Sequence, residues 1–137
     1  TIPFGVAKVK REGTDVTIVA TSSMVQVALG AANMLDEYDI SAEVIDPRTL
    51  TPLDVDTLVN SVKKTSRCIV VDEGYQRFGA TAELASVIAS KAFYYLDAPV
   101  ERLGAMDVPV PFSPVLEDQT IPNEAALVAL ARKLVEK

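Results

Sequence analysis

Three short apolar, β-branched runs, each followed by a stretch with helical periodicity, restrict this chain's fold more than any other feature. They are Asp15 to Ala20, Ala42 to Asp46 and Cys68 to Asp72. Runs of this kind suit strands covered on both faces, as in parallel sheets. After the first, Thr21, Ser22 and Ser23 offer N-cap oxygens, and Met24, Ala28, Ala31, Ala32 and Leu35 recur as one stripe. After the second, Pro47 stops the strand and Arg48 to Leu53 reads as a loop. Asp54 can cap the helix that follows, where Val55, Leu58, Val59 and Val62 share a face. Lys63 and Lys64 stand near its end, where the helix dipole favours cations.

The third run leads through Glu73 to Gly79, a loop, into an Ala-rich helix from about Thr81 to Phe93. That helix is apolar around most of its circumference, so it is expected to pack on two sides. Pro99 to Leu103 reads as a last short strand. Val108 to Pro114 is too rich in proline for a helix or a central strand. Asn123 can cap a final helix with Leu127, Leu130, Leu134 and Val135 on its buried side.

Such alternation predicts a layered α/β domain with a mostly parallel sheet. The opening segment, Val6 to Lys10, differs. Only a short turn with Glu12 and Gly13 separates it from the next strand, so the two are expected to be antiparallel neighbours, the first at an edge. The chain has 137 residues, which fits one domain spanning 1–137. No internal repeat, low-complexity segment or flexible linker interrupts it.

Composition narrows the function. No apolar run approaches the roughly 20 residues a membrane span needs. The N-terminal residues lack a secretory signal's basic start and apolar block, so a soluble intracellular domain is expected. The formal charge of −6, with the basic residues dispersed, argues against a nucleic-acid surface. The one basic group, Lys8, Lys10 and Arg11, reads as a solvated strand end. An acidic domain favours a basic partner instead. With no histidine in the chain, Ser-His-Asp and Cys-His catalysis are impossible. The single cysteine, Cys68, reads as a small core residue, and one cysteine is a poor start for a structural metal site.

Ligands of parallel sheets bind beyond the carboxyl ends of the strands. Thr21 to Ser23, Asp46 to Arg48 and Asp72 to Gly79 leave such ends, with Tyr75 and Arg77 in the third loop. They could build a small-molecule site, although helix capping and strand termination explain the first two more simply. Gly74 to Gly79 matches neither the dinucleotide fingerprint nor the phosphate-binding loop. Asp72 and Glu73 point to opposite faces if extended, a poor acid/base pair. By themselves the residues support a binding or assembly domain.

Read end to end, the chain resembles the C-terminal domain of dehydrogenase E1 β subunits, within the transketolase-like thiamine-diphosphate enzymes. The similarity lies in Ile2 to Val9 with Arg11 to Val19, in Ala42 to Asp54, in Val71 to Gly74 with Phe78 to Ala80, and in Leu96 to Val100 with Asp107 to Pro111. It covers essentially the whole chain. The resemblance implies a three-layer α/β/α domain whose five-stranded mixed sheet has its first strand antiparallel to the others.

It also implies a thiamine-diphosphate and Mg2+ enzyme that decarboxylates a 2-oxoacid or cleaves acetoin and passes the acyl group to lipoyl-lysine of the E2 acyltransferase. In that family the acidic residue activating the cofactor lies in a preceding domain, so no catalytic, cofactor or metal residue carries over to this chain. Implied partners are an E1 α subunit, a second E1 β subunit and the E2 subunit-binding domain, with neither nucleic acid nor membrane. For the E2 contact the resemblance points to Asp97, in the Leu-Asp-Ala-Pro motif, and to the terminal carboxylate on Lys137, where the family more often ends on an apolar residue. The implied setting is a bacterial cytoplasm or, second, a mitochondrial matrix. Competing readings are an independent small-molecule-binding α/β domain and the C-terminal domain of a transketolase-like synthase.

Overall fold

The computed structural model describes residues 6–21, 24–48, 53–71, 78–104 and 123–136, with 78–81 described by backbone alone. Five strands form one sheet: β1 (Lys8–Arg11), β2 (Val16–Ala20), β3 (Ala42–Asp46), β4 (Cys68–Val71) and β5 (Glu101–Leu103). Their order is β1-β3-β2-β4-β5. β3, β2, β4 and β5 run parallel, and β1 lies antiparallel on β3. Among the described residues four helices cover the sheet: α1 (Met24–Leu35), α2 (Val55–Thr65), α3 (Phe78–Lys91) and α4 (Glu124–Val135).

Strand periodicity divides the core in two. Val16, Ile18 and Ala20 of β2, with Ala42, Val44, Ile69 and Val71, point to one face and pack under α1 and α4. Val19, Ile45, Cys68 and Val70 point to the other and pack under α2 and α3. This is the expected three-layer α/β/α arrangement, because strands apolar on both faces need helices on both.

One expectation is corrected. β1 is antiparallel and at an edge, but its partner is β3 rather than β2. β2 is buried at every position, with β3 on one side and β4 on the other. Parallel crossovers occupy both its flanks, so the nearest free edge for β1 is that of β3. The turn between β1 and β2 therefore passes the amino end of β3, and Gly13 lies against the Ala42–Glu43 peptide there.

Helix ends follow their capping residues. Asp54 accepts from the Thr57 N–H at 3.2 Å and the Thr57 hydroxyl at 2.6 Å, and also takes the Ala7 N–H at 2.9 Å. One carboxylate thus caps α2 and pins the segment entering β1. Those hydrogen bonds, led by the Thr57 hydroxyl, hold its pKa below the ordinary carboxylate value against the opposing effect of burial. Asn123 caps α4 by accepting from Ala126 N–H at 2.8 Å.

The α1 stripe is buried as its spacing predicts. On α2 the buried face is rotated to Leu58, Ser61, Val62 and Thr65, leaving Val55 and Val59 half-buried. Thr17 of β2 draws it round, because its hydroxyl bonds both Ser61 and Thr65 hydroxyls at 2.7 Å. A hydroxyl in a central strand needs such partners once water is excluded. α3 starts at Phe78 and stops at Lys91, and Phe93–Tyr95 form a separate 3-10 turn. Only one side of α3 meets the core, through Leu84, Ala85 and Ile88. The adjoining face, with Ala82, Ser86 and Ala89 and sharing Ala85, opens onto a groove, so the expected packing on two sides is not met within the described residues.

Candidate functional site

The candidate residues fall at opposite ends of the sheet. At the carboxyl end, Thr21 is buried and its carbonyl accepts the first N–H of α1, from Met24, at 3.0 Å. Asp46 accepts the Arg48 N–H at 2.8 Å, and Arg48 takes a left-handed φ of 64°. This tight turn ends β3, which favours strand termination over a ligand role for Asp46. Ser22, Ser23, Asp72 to Arg77 and the stretch from Val108 to Pro114 lie outside the described residues.

Asp97 stands at the amino end, in the segment before β5. Its side chain is exposed, and its backbone N–H donates to the Ser66 carbonyl at 2.8 Å. Ser66 closes α2 in a left-handed turn at φ 65°, its N–H returning to Val62 O at 2.7 Å. The next residue, Arg67, reaches the other layer. Its Nε donates to Leu134 O at 3.2 Å and its Nη1 to Asp15 O at 3.3 Å.

The Ser66–Arg67 turn therefore holds the Asp97 backbone with one residue and the end of α4 with the other. Lys137 itself is outside the described residues, but the last turn of the helix leading to it is fixed on this same face. A second tie positions the approach to Asp97: Lys63 Nζ lies 5.1 Å from the Tyr95 ring centre, a cation–π contact. The result is a carboxylate presented to solvent from a backbone anchored on two sides. Such a group can meet a basic side chain without first having to be ordered.

Arg67 escapes sequence reasoning. The available signal was an arginine placed between a helix end and a buried strand, where its fork can satisfy carbonyls at several strand and helix ends.

Neighbouring polar groups are structural. Glu43 is buried, and its Oε1 accepts the Gly13 N–H at 3.0 Å and Lys64 Nζ at 2.6 Å. Burial alone would raise its pKa, but hydrogen bonds from Lys64, Ser61 and Gly13 together bring it below the ordinary value. Cys68 is fully buried, which pushes its thiol up to about 12. A thiol reagent at pH 8 is therefore expected to label Cys68 only in unfolded chain. Labelling of the native chain as fast as that of a free thiol would contradict this. Among the described residues no three His, Cys, Asp or Glu side chains are placed to hold a metal ion. No helix among them is long and apolar enough to cross a membrane.

Comparison with known proteins agrees with this architecture. Residues 5–127 match the family model described as transketolase, C-terminal domain. The chain is 48% identical over 133 residues to the pyruvate dehydrogenase E1 component subunit beta of Rickettsia felis, covering 97% of this chain and 41% of that protein. It is 47% identical over 135 residues to the acetoin:2,6-dichlorophenolindophenol oxidoreductase subunit beta of Bacillus subtilis, covering 98% and 40%. The solved structure of a split-gene transketolase, an inactive beta4 tetramer, superposes with a TM-score of 0.79 at 31% identity, covering 98% of this chain and 43% of that one. The chain thus spans about two fifths of the length of these relatives.

Proposed function

The chain belongs to the transketolase C-terminal domain family, and from that premise we propose that it is the assembly domain of a dehydrogenase E1 β subunit. In this reading the whole enzyme acts with thiamine diphosphate and Mg2+ on pyruvate, a branched-chain 2-oxoacid or acetoin, and acylates lipoyl-lysine of E2. The identity to two β subunits over nearly all of the chain supports it. In this reading the cofactor is activated elsewhere in the enzyme, and no chemical step is proposed for this domain.

Its proposed work is to hold subunits together: an E1 α subunit, a second β subunit and the subunit-binding domain of E2. A solved relative described as a beta4 tetramer, superposable over 98% of this chain, supports self-association. For E2, the supporting observation is the Ser66–Arg67 turn, which sets exposed Asp97 and the end of α4 on one face of an acidic domain. Complementary charge at such a rim steers encounter and adds salt-sensitive affinity.

Calorimetric titration with an E2 subunit-binding domain tests the docking. Binding at micromolar strength or better, roughly −8 kcal/mol, and weaker in added salt is expected. Asp97→Lys should weaken it about 30-fold, roughly 2 kcal/mol, with an unchanged melting temperature because the side chain is exposed. An isolated chain that ignores E2 but binds thiamine diphosphate or a nucleotide would overturn the proposal in favour of a small-molecule domain.

A further inference from the structure

The face that carries Asp97 is assembled from both layers of the domain, and one side chain spans them. The Asp97 backbone hangs on the Ser66 carbonyl at the end of α2, whereas α4 packs on the other side of the sheet. Arg67 stands between. Its own backbone is held in place, its carbonyl accepting the Thr17 N–H at 2.8 Å and the Thr65 hydroxyl at 3.1 Å. From there its guanidinium reaches the carbonyls of Leu134 and Asp15 together.

Leu134 O is one of the last four carbonyls of α4, which have no partner within their own helix. A guanidinium suits that place, because it satisfies the carbonyl and sets its charge against the negative end of the helix dipole. On its outer side the same turn is steadied by Arg132, whose guanidinium lies 4.0 Å from the centre of the Tyr38 ring and pairs with Glu136 at 2.8 Å.

We infer that Arg67 is the positioning residue of this face: it holds the last turn of α4 in register with Asp97, so that a basic partner meets both already in place. This role rests on the E2 docking proposed above and deepens it. The charge of Arg67 itself opposes a basic partner, so the side chain serves docking through the carbonyls it holds rather than by contact. Were it only a charge on an acidic domain, its removal would strengthen the attraction. Positioning predicts the opposite sign, because a loosened turn has to be ordered as the complex forms.

Calorimetric titration of the 137-residue chain with the E2 subunit-binding domain reads that sign. Arg67→Met should weaken binding about 10-fold, although the variant is more acidic. Arg67→Lys keeps the charge but lacks the fork that joins two carbonyls, and should weaken binding about 5-fold. It also carries the test if Arg67→Met does not fold. Amide hydrogen exchange gives the second reading. In both free variants the Leu134 and Val135 amides, in the last turn of α4, should exchange faster than in the wild type and slow again in the complex. Equal or tighter binding by folded variants overturns the positioning role while docking stands, even if that turn has loosened. Weaker binding with unchanged exchange there overturns it too. A wild-type chain that does not bind E2 removes the docking reading, and this role with it.

Discussion

Glu43→Ala is expected to lower the unfolding free energy by about 3 kcal/mol, a loss seen as a fall in the urea midpoint at constant slope. Glu43 is an acid in the middle of a buried strand, with 2% of its surface exposed. It is tolerated there because three donors converge on it: the Gly13 N–H, Lys64 and Ser61. Lys64 is 42% exposed and can return to water when its partner is removed. The Gly13 N–H lies inside the turn and cannot, so most of the loss comes from stranding it and from the space left behind. Glu43→Gln keeps an acceptor for Gly13 and should cost about 1 kcal/mol.

The same carboxylate gives stability a pH dependence. Its pKa is lower in the folded chain than its ordinary value of 4.5. Its contribution is therefore complete above about pH 4.5 and is lost as pH falls through the folded value. Glu43→Gln should flatten that acid limb relative to the wild type. Equal acid sensitivity in both would contradict the assignment.

Gly13→Ala is expected to cost at least about 3 kcal/mol, the upper range for overpacking. A Cβ at Gly13 would meet backbone, the Ala42 carbonyl carbon and the Glu43 nitrogen, the latter at 2.5 Å. Strand β3 cannot yield, because it is paired with both β1 and β2. Gly30→Ala provides the contrast. There the added carbon meets only the carboxylate end of Glu124, an exposed side chain that can swing away. Alanine also favours the helix by about 1 kcal/mol, so that variant should melt within a few degrees of the wild type. Similar losses in the two variants would show that backbone contact at Gly13 is not the cause.

Much of this architecture could be read from the sequence because its strongest signals are local. Val16 to Ala20, Ala42 to Asp46 and Cys68 to Val71 are strands because their composition excludes exposure of either face. Asp54 and Asn123 mark helix starts because a short acceptor side chain reaches the first free N–H groups. What escaped depends on distant neighbours. The partner of β1 is decided by which edges remain after β2 is flanked, and sequence proximity pointed instead to β2. The rotated face of α2 depends on Thr17, 44 residues from Ser61.

The candidate site was legible only in part. Asp97 came from a motif, but what makes it a presented charge is the Ser66 carbonyl and the Lys63–Tyr95 contact, which no spacing in the chain announces. The groove was foreshadowed by the apolar circumference of α3. That pattern indicates two covered sides without saying whether the second cover belongs to the same chain.

The pairing of β1 with β3 has a consequence for the order of events as the chain organises itself. Residues 8–11 find their hydrogen-bonding neighbour in residues 42–46, which pair on their other side with β2. Because its partner is distant in sequence, the first strand is expected to join late, closing over a β-α-β unit assembled from nearer parts. Lys8 opposite Asp46 and Val9 opposite Ile45 then act as a latch rather than a seed.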